Sequence, residues 1–290
     1  MIKAEEYFKK DIIDILANGY KDENPRPKYK DGTPAHTLSV NQNIRKYDLE
    51  QGEFPIITLR PIAWKTGIKE ILAIYQKQTN SLKDFHDLGI MYWDDWDIGD
   101  GTIGQRYGHT VKRYDLMNKL IEGLKNDPYG RRHVMSLWQE EEFIEDNKGL
   151  NPCAFLTMWN VRKGTGGQEY LDMSLIQRSG DMICASGAGN INEVQYAALL
   201  MMVAQVCGYK AGVFVHFVQN EQIYDRHIDQ AEELYHRETC SECVKNHPYL
   251  EINPEVKNFY DFTIDDFKMK NYSLAKIKEE NPQLKLDLGI

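Results

Sequence analysis

The chain has 290 residues, 42% apolar and 27% charged, a composition that suits one large soluble globular domain or two small ones. Its formal charge of -9 and pI near 5.5 exclude a general affinity for nucleic acid, membrane surfaces or polyanions, which reward a net basic face. An anionic ligand must therefore be held by local arginines. The opening Met1-Ile2-Lys3-Ala4-Glu5-Glu6 turns polar at once and lacks a leader pattern, so the expected compartment is the cytoplasm. The longest apolar run, 196–206 broken by Gln205, falls well short of the ~20 residues needed to cross a bilayer. Five cysteines form an odd set, unlike a secreted disulfide framework, and are expected as reduced thiols.

Residues 5–18 place Tyr7, Phe8, Ile12, Ile15 and Leu16 near one helical face, with Asn18-Gly19 as the stop. Residues 21–37, rich in Pro, Lys, Asp and Gly, read as a loop whose Arg26, Lys28 and Lys30 are candidates to reach an anion. Helical spacing returns over 62–75 and carries Glu70 among mostly apolar neighbours, and a further helix is expected over 113–126. From 133 the pattern shifts to short runs of strand length at 133–138, 154–161, 170–177 and 213–218. Lys163-Gly164-Thr165-Gly166-Gly167 between two of them is a hairpin signal. Asn192 is placed to cap an apolar helix over 193–206, and 221–237 reads as another helix. Strands clustered in the second half among helices predict an α+β fold with a largely antiparallel or mixed sheet, a single domain over 1–290.

Cys153 follows Asn151-Pro152 at the head of an expected strand, where a thiol stands either exposed at a pocket edge or packed as a small hydrophobe. Arg131-Arg132 upstream and Gln177-Arg178-Ser179 downstream offer guanidiniums that lower a thiol pKa or grip a phosphate, although such pairs are often surface salt bridges. His236, Cys240, Cys243 and His247 have the residue types of a zinc shell but not its usual separated halves, and a polar loop is the plainer reading. The glycines at 164–167 and 187–189 lack the continuation of a phosphate-binding loop and read as turns. Trp93-Asp94-Asp95-Trp96 offers either a stacking platform or core anchors.

Taken in order, a longer set of segments resembles the thymidylate synthase family through nearly the whole chain. The set comprises Asp31-Gly32-Thr33-Pro34-Ala35-His36-Thr37-Leu38-Ser39, Lys69-Glu70-Ile71-Leu72, Trp93 to Trp96, and Asp100-Gly101-Thr102-Ile103-Gly104. It continues with Arg131-Arg132-His133, Pro152-Cys153, Gln177-Arg178-Ser179-Gly180-Asp181 and Asn253-Pro254-Glu255-Val256. The resemblance implies a homodimer whose sheets pack face to face, with Arg131 and Arg132 reaching the partner's nucleotide phosphate. It implies Cys153 as the nucleophile, Arg178 and Ser179 at the phosphate with Arg26 as a further candidate, and Asn192 at the pyrimidine edge. Gln222 and Tyr224 fall at the ribose, Asp181 and Trp93 at the folate, Glu70 and Tyr107 in proton transfer, and Ile290 as the closing C-terminus. No metal is implied.

The implied reaction converts dUMP to dTMP with 5,10-methylenetetrahydrofolate as carbon and hydride donor. A thiolate adding to the uracil ring makes a nucleophile of an otherwise unreactive carbon, which is covalent catalysis of the usual kind. Three positions depart from the common family pattern: Ala154 replaces a histidine, Gln222-Ile223-Tyr224 replaces His-x-Tyr, and Ala185 to Asn192 replaces Gly-x-Pro-Phe-Asn. In that last segment Asn190 and Asn192 both qualify as base reader, and the spacing to Tyr196 favours Asn192. Two rivals stand beside the synthase: a pyrimidine nucleotide hydroxymethylase, in which water captures the intermediate, and a binding protein without turnover.

Overall fold

The computed structural model describes residues 2–146, 148–286 and 289. Helix α1 (Lys3–Asn18) buries Phe8, Ile12 and Ile15 on one face, as the spacing predicts. Strands β1 (Tyr20–Lys21) and β2 (Thr37–Asp48) follow, then α2 (Trp64–Ile71), which widens into a π-helical turn at Leu72–Lys77. Short helices α3 (Leu82–Asp87) and α4 (Gly108–Arg113) lead to α5 (Leu116–Asn126). Next come β3 (Val134–Ser136), α6 (Glu140–Glu145), β4 (Ala154–Lys163), β5 (Glu169–Gln177) and β6 (Gly180–Asp181). The long α7 (Ile191–Cys207), β7 (Lys210–Tyr224), α8 (Ile228–His236), the pair β8 (Tyr249–Ile252) and β9 (Phe267–Lys270), and α9 (Leu274–Glu280) follow.

The main sheet runs in the order β1-β2-β7-β5-β4-β3, with β6 also paired to β7. β5 and β6 lie parallel to β7 and the other neighbours are antiparallel, which is the mixed α+β sheet that the sequence predicts. The parallel step requires a crossover, and α7 supplies it. That helix is apolar all round because it is buried on nearly every side, including Val194, Ala197, Ala198, Leu199, Leu200 and Val203.

Three expectations are corrected. Residues 37–48 form a central strand that the sequence reading left unassigned, because its polar Asn41, Gln42 and Asn43 hide the alternation. Residues 221–224 are the end of β7, paired with β2 through Glu221↔Val40 and Gln222↔Ser39, so the helix expected over 221–237 starts only at Ile228. Asn190, rather than Asn192, stands at the N-cap of α7.

Beneath the sheet's inner face, Arg45 of β2 is fully enclosed and gathers three carboxylates from three elements. It donates to Asp11 of α1 at 2.7 Å, to Glu193 of α7 at 3.4 Å, and to Glu221 of β7. Tyr47 and the Gly189 amide add donors to Glu193 at 2.7 and 2.6 Å. Burial pushes Asp11 and Glu221 up, while at Glu193 it is outweighed by His216 and Arg45, which hold that carboxyl below its ordinary value. Replacing Arg45 by methionine strands these carboxylates in the core and is expected to cost about 3–5 kcal/mol in urea unfolding. A loss below about 1 kcal/mol would mean that the network contributes no more than a surface pair.

Candidate active site

A cavity of about 720 Å³ opens where the ends of β5, β6 and β7 meet the start of α7, the end of α2 and the loop that precedes β2. Cys153, Arg178, Ser179, Asp181, Asn192, Glu70, Tyr107, Trp93, Gln222, Tyr224 and Arg26 all line it. The sequence reading had scattered these residues over 199 positions, and one pocket collects them.

Cys153 sits just ahead of β4. Opposite β5 the register of β4 shifts between Ala154 and Leu156, a bulge of the kind that re-aims side chains beside functional sites. Arg178 Nη2 lies 3.5 Å from the Cys153 sulfur, and the same guanidinium is fixed by the carbonyls of Pro152 at 3.0 Å and Asn151 at 2.7 Å. Burial pushes the thiol up, and the charges of Arg178 and Arg26 pull against it. The expectation that Arg178 favours the thiolate therefore holds in direction, but burial outweighs it. The Cys153 amide donates to the Tyr107 hydroxyl at 3.2 Å. Tyr107 occupies φ 51 and ψ -106, a region costly for a side chain with a Cβ, so packing holds the ring in place against backbone strain.

Glu70 is buried near the end of α2 and accepts from Trp93 Nε1 at 2.9 Å, from Tyr92 and from Gln195. Burial raises its carboxyl against those three donors. Asn192 Nδ2 donates to Gln195 Oε1 at 3.0 Å, and its Oδ1 accepts from Gln177 Nε2 at 3.4 Å. The competing asparagine is spent in the core: Asn190 Oδ1 takes Arg60 at 2.7 Å and its Nδ2 bonds the Met182 carbonyl at 2.9 Å. Of the two, Asn192 alone faces the cavity.

Asp181 Oδ1 caps the turn at Met182–Ser186 through the amides of Ile183 and Cys184, both at 3.0 Å, while its Oδ2 is buried with no hydrogen-bond partner. That orphaned oxygen suits a ligand carrying N–H donors. Asp181, Cys184 and His227 also bring possible ligand atoms within 4.8 Å of one another. Arg26 is carried by a loop pinned through Tyr29 N to Thr33 O at 2.9 Å, Ala35 N to Pro27 O at 3.1 Å and Arg226 to Asp31 at 2.7 Å. Lys28 and Lys30 do not line the cavity. Arg131 and Arg132 are exposed at the turn before β3 and do not line their own chain's cavity. Ile290 lies outside the described residues, next to Gly289, which lines the pocket. His236, Cys240, Cys243 and His247 do not form a metal cluster among the described residues, and both cysteines are buried.

Sequence reasoning missed Gln195, Tyr92 and Tyr196 as cavity residues. Gln195 had a signal: it is a polar residue one helical turn after Asn192 in an otherwise apolar helix, and thus on the same face.

A sequence model described as thymidylate synthase matches residues 6–282. The thymidylate synthase of Lactococcus lactis subsp. cremoris (strain SK11) is 49% identical over 292 residues, covering 100% of both chains. That of Streptococcus sanguinis (strain SK36) is 47% identical over 293 residues, again with 100% of both covered. Among solved structures, the thermostable thymidylate synthase A from Bacillus subtilis superposes with a TM-score of 0.86 at 35% identity, covering 99% of each chain. With its mixed sheet and thiol-bearing cavity the chain is an enzyme of the methyltransferase class. It belongs to the thymidylate synthase family.

Because Arg178 opposes the effect of burial on Cys153, Arg178→Ala should move the midpoint of Cys153 alkylation by iodoacetamide to higher pH. Peptide mass spectrometry isolates this thiol from the other four cysteines. An unchanged or lower midpoint would remove Arg178 from thiol activation.

Proposed function

We infer that the chain, acting as one domain over 1–290, methylates dUMP to dTMP using 5,10-methylenetetrahydrofolate, with Cys153 as the nucleophile. The observation that carries the residue assignment is the 3.5 Å approach of Arg178 to the Cys153 sulfur on the wall shared by Asn192 and Glu70. A thiolate at Cys153 adds to the uracil ring and turns the neighbouring carbon into a nucleophile. The folate supplies the one-carbon unit and the hydride, and is released as dihydrofolate. Asn192 reads the base edge, Gln222 and Tyr224 take the ribose, and Arg178, Ser179 and Arg26 take the phosphate. Glu70, its carboxyl raised by burial, is suited to hold or pass a proton, and Tyr107 stands at the nucleophile for removal of the ring proton. Asp181 and Trp93 hold the folate: an unpartnered carboxylate oxygen and a buried indole fit a planar ring with N–H donors. Ile290 closes over it. No metal enters this reading.

The working unit is a homodimer. Support comes from the outer face of the main sheet, where Ile44 is 62% exposed, Met158 38% and Val134 52%, beside half-buried Val213, Val215 and Phe217. An apolar face of this extent is what a subunit interface covers. Arg131 and Arg132, unused in their own cavity, then serve the partner's phosphate site. No helix among the described residues is long and apolar enough to cross a membrane, and the net charge of -9 disfavours nucleic acid. Cytoplasmic location belongs to the same reading.

Incubation with dUMP and methylenetetrahydrofolate should give dTMP with stoichiometric dihydrofolate, followed by absorbance and mass spectrometry. Hydroxymethyl-dUMP with tetrahydrofolate would replace the synthase by the hydroxymethylase. Cys153→Ser should lower turnover by at least about a thousandfold while retaining dUMP binding. Mixing Arg131→Ala with Cys153→Ser subunits should restore part of the activity, and no recovery would defeat the shared site.

A further inference from the structure

An asparagine amide does not by itself tell uracil from cytosine. With Oδ1 facing ring N3 and Nδ2 facing the exocyclic group, it accepts the N3–H of uracil and donates to its carbonyl. Rotated by half a turn, it donates to N3 of cytosine and accepts from its amino group equally well. Discrimination therefore requires that the amide be held one way round.

The hydrogen bonds around Asn192 form a chain between two buried carboxylates, and from Gln177 to Glu70 every link donates in the same direction. On one side, Glu193 accepts from His216 Nδ1 at 3.0 Å, and His216 Nε2 faces Gln177 Oε1 at 3.0 Å. Gln177 Nε2 then donates to the Ser179 carbonyl at 3.0 Å and to Asn192 Oδ1 at 3.4 Å. On the other side, Asn192 Nδ2 donates to Gln195 Oε1 at 3.0 Å, and Gln195 Nε2 donates to the Gly67 carbonyl at 3.3 Å and to Glu70. Each link leaves Asn192 one lone pair and one N–H for the base.

Turning Asn192 over would set its N–H groups against those of Gln177 and its oxygen against that of Gln195. Relieving those clashes by turning the glutamines would exchange the Gln177 oxygen that faces His216 Nε2 for an N–H, and press Gln195 Oε1 against the Glu70 oxygen that now accepts from Gln195 Nε2. Both ends resist, because Glu193 is fixed by Arg45, Tyr47 and the Gly189 amide, and Glu70 by Tyr92 and Trp93. We propose that His216 and Gln195 are specificity-determining positioning residues, which lock the Asn192 amide in the orientation that selects uracil over cytosine nucleotides. The inference rests on the reading of Asn192 as the base reader.

The test measures dissociation constants for dUMP and dCMP by calorimetry on the full-length wild type, His216→Gln and Gln195→Met, with dUMP turnover assayed in parallel. Glutamine at 216 is polar but its amide can turn over and offer Gln177 either a donor or an acceptor, and methionine at 195 fills the space without holding the amide. Each variant should lose at least about tenfold of the dUMP preference, the scale of one mismatched buried hydrogen bond. An equal weakening for both nucleotides, with the ratio within about twofold of wild type, would reduce these residues to a structural role and overturn the proposal. If His216→Gln does not fold, Gln195→Met decides alone, since residue 195 stands on the cavity wall away from the Arg45 charges. A wild type that prefers dUMP but makes no dTMP fails the functional reading and leaves the lock standing. A wild type that binds both nucleotides equally, or neither, overturns the lock.

Discussion

A guanidinium removed from water must be surrounded by acceptors, and Arg45 meets that demand by drawing α1, β2, β7 and α7 to one point. The carboxylates it collects are then fixed in position, and one of them, Glu193, is also the anchor for His216. From there the bonds lead through Gln177, at the last residue of β5, to Asn192 on the cavity wall. The charge cluster that joins helix to sheet is thus continuous with the polar edge of the cavity at Asn192. An apolar core of similar volume could be at least as stable, so the charges here are better understood as fixing geometry than as adding stability.

The cavity shows the same economy. The turn at Met182–Ser186 leads into the segment 185–192 that stands in place of Gly-x-Pro-Phe-Asn, and its backbone is held without proline. Arg60 reaches the carbonyls of Ile183 at 2.8 Å and Cys184 at 3.1 Å, Asn190 ties the start of the turn, and Asp181 caps it. Buried side chains hold this turn in place of a rigid ring.

Much of this was legible in the sequence. Helix α1 announced itself because one face is apolar at helical spacing, and the strands on either side of Gly164-Thr165-Gly166-Gly167 because turn residues bracket short apolar runs. Strand β2 was not legible: its inward positions include the polar Thr37 and Ser39, whose hydroxyls meet each other at 3.3 Å, and Arg45, which is buried only because partners distant in the chain satisfy it. The last turn of β7 was misread for a related reason, since Glu221 looks like a solvated helix position until Arg45 is brought beside it. At the site, residues carrying strong chemistry such as Cys153, Arg178 and Glu70 were identified by resemblance. Gln195 and His216 escaped because amides and a buried histidine acquire their roles only from the direction of the hydrogen bonds they join.

That directionality bears on the chemistry as well as on recognition. In the free cavity, burial pushes both the Glu70 carboxyl and the Cys153 thiol toward the neutral form. Two guanidiniums, Arg178 and Arg26, oppose this at the sulfur, and both stand among the groups assigned to the nucleotide phosphate. Arg178 already divides its donors between two carbonyls and the sulfur. A phosphate entering there competes with the thiolate for the same positive charge. On the proposed reading, addition of the sulfur then draws on what the bound nucleotide brings, namely a ring whose developing charge is taken up by Asn192 and its neighbours. An amide locked in place is worth more in that role than a mobile one, because it needs no reorganisation when charge develops on the base. On the proposed reading, the bonds that specify uracil and those that favour addition to it are the same bonds.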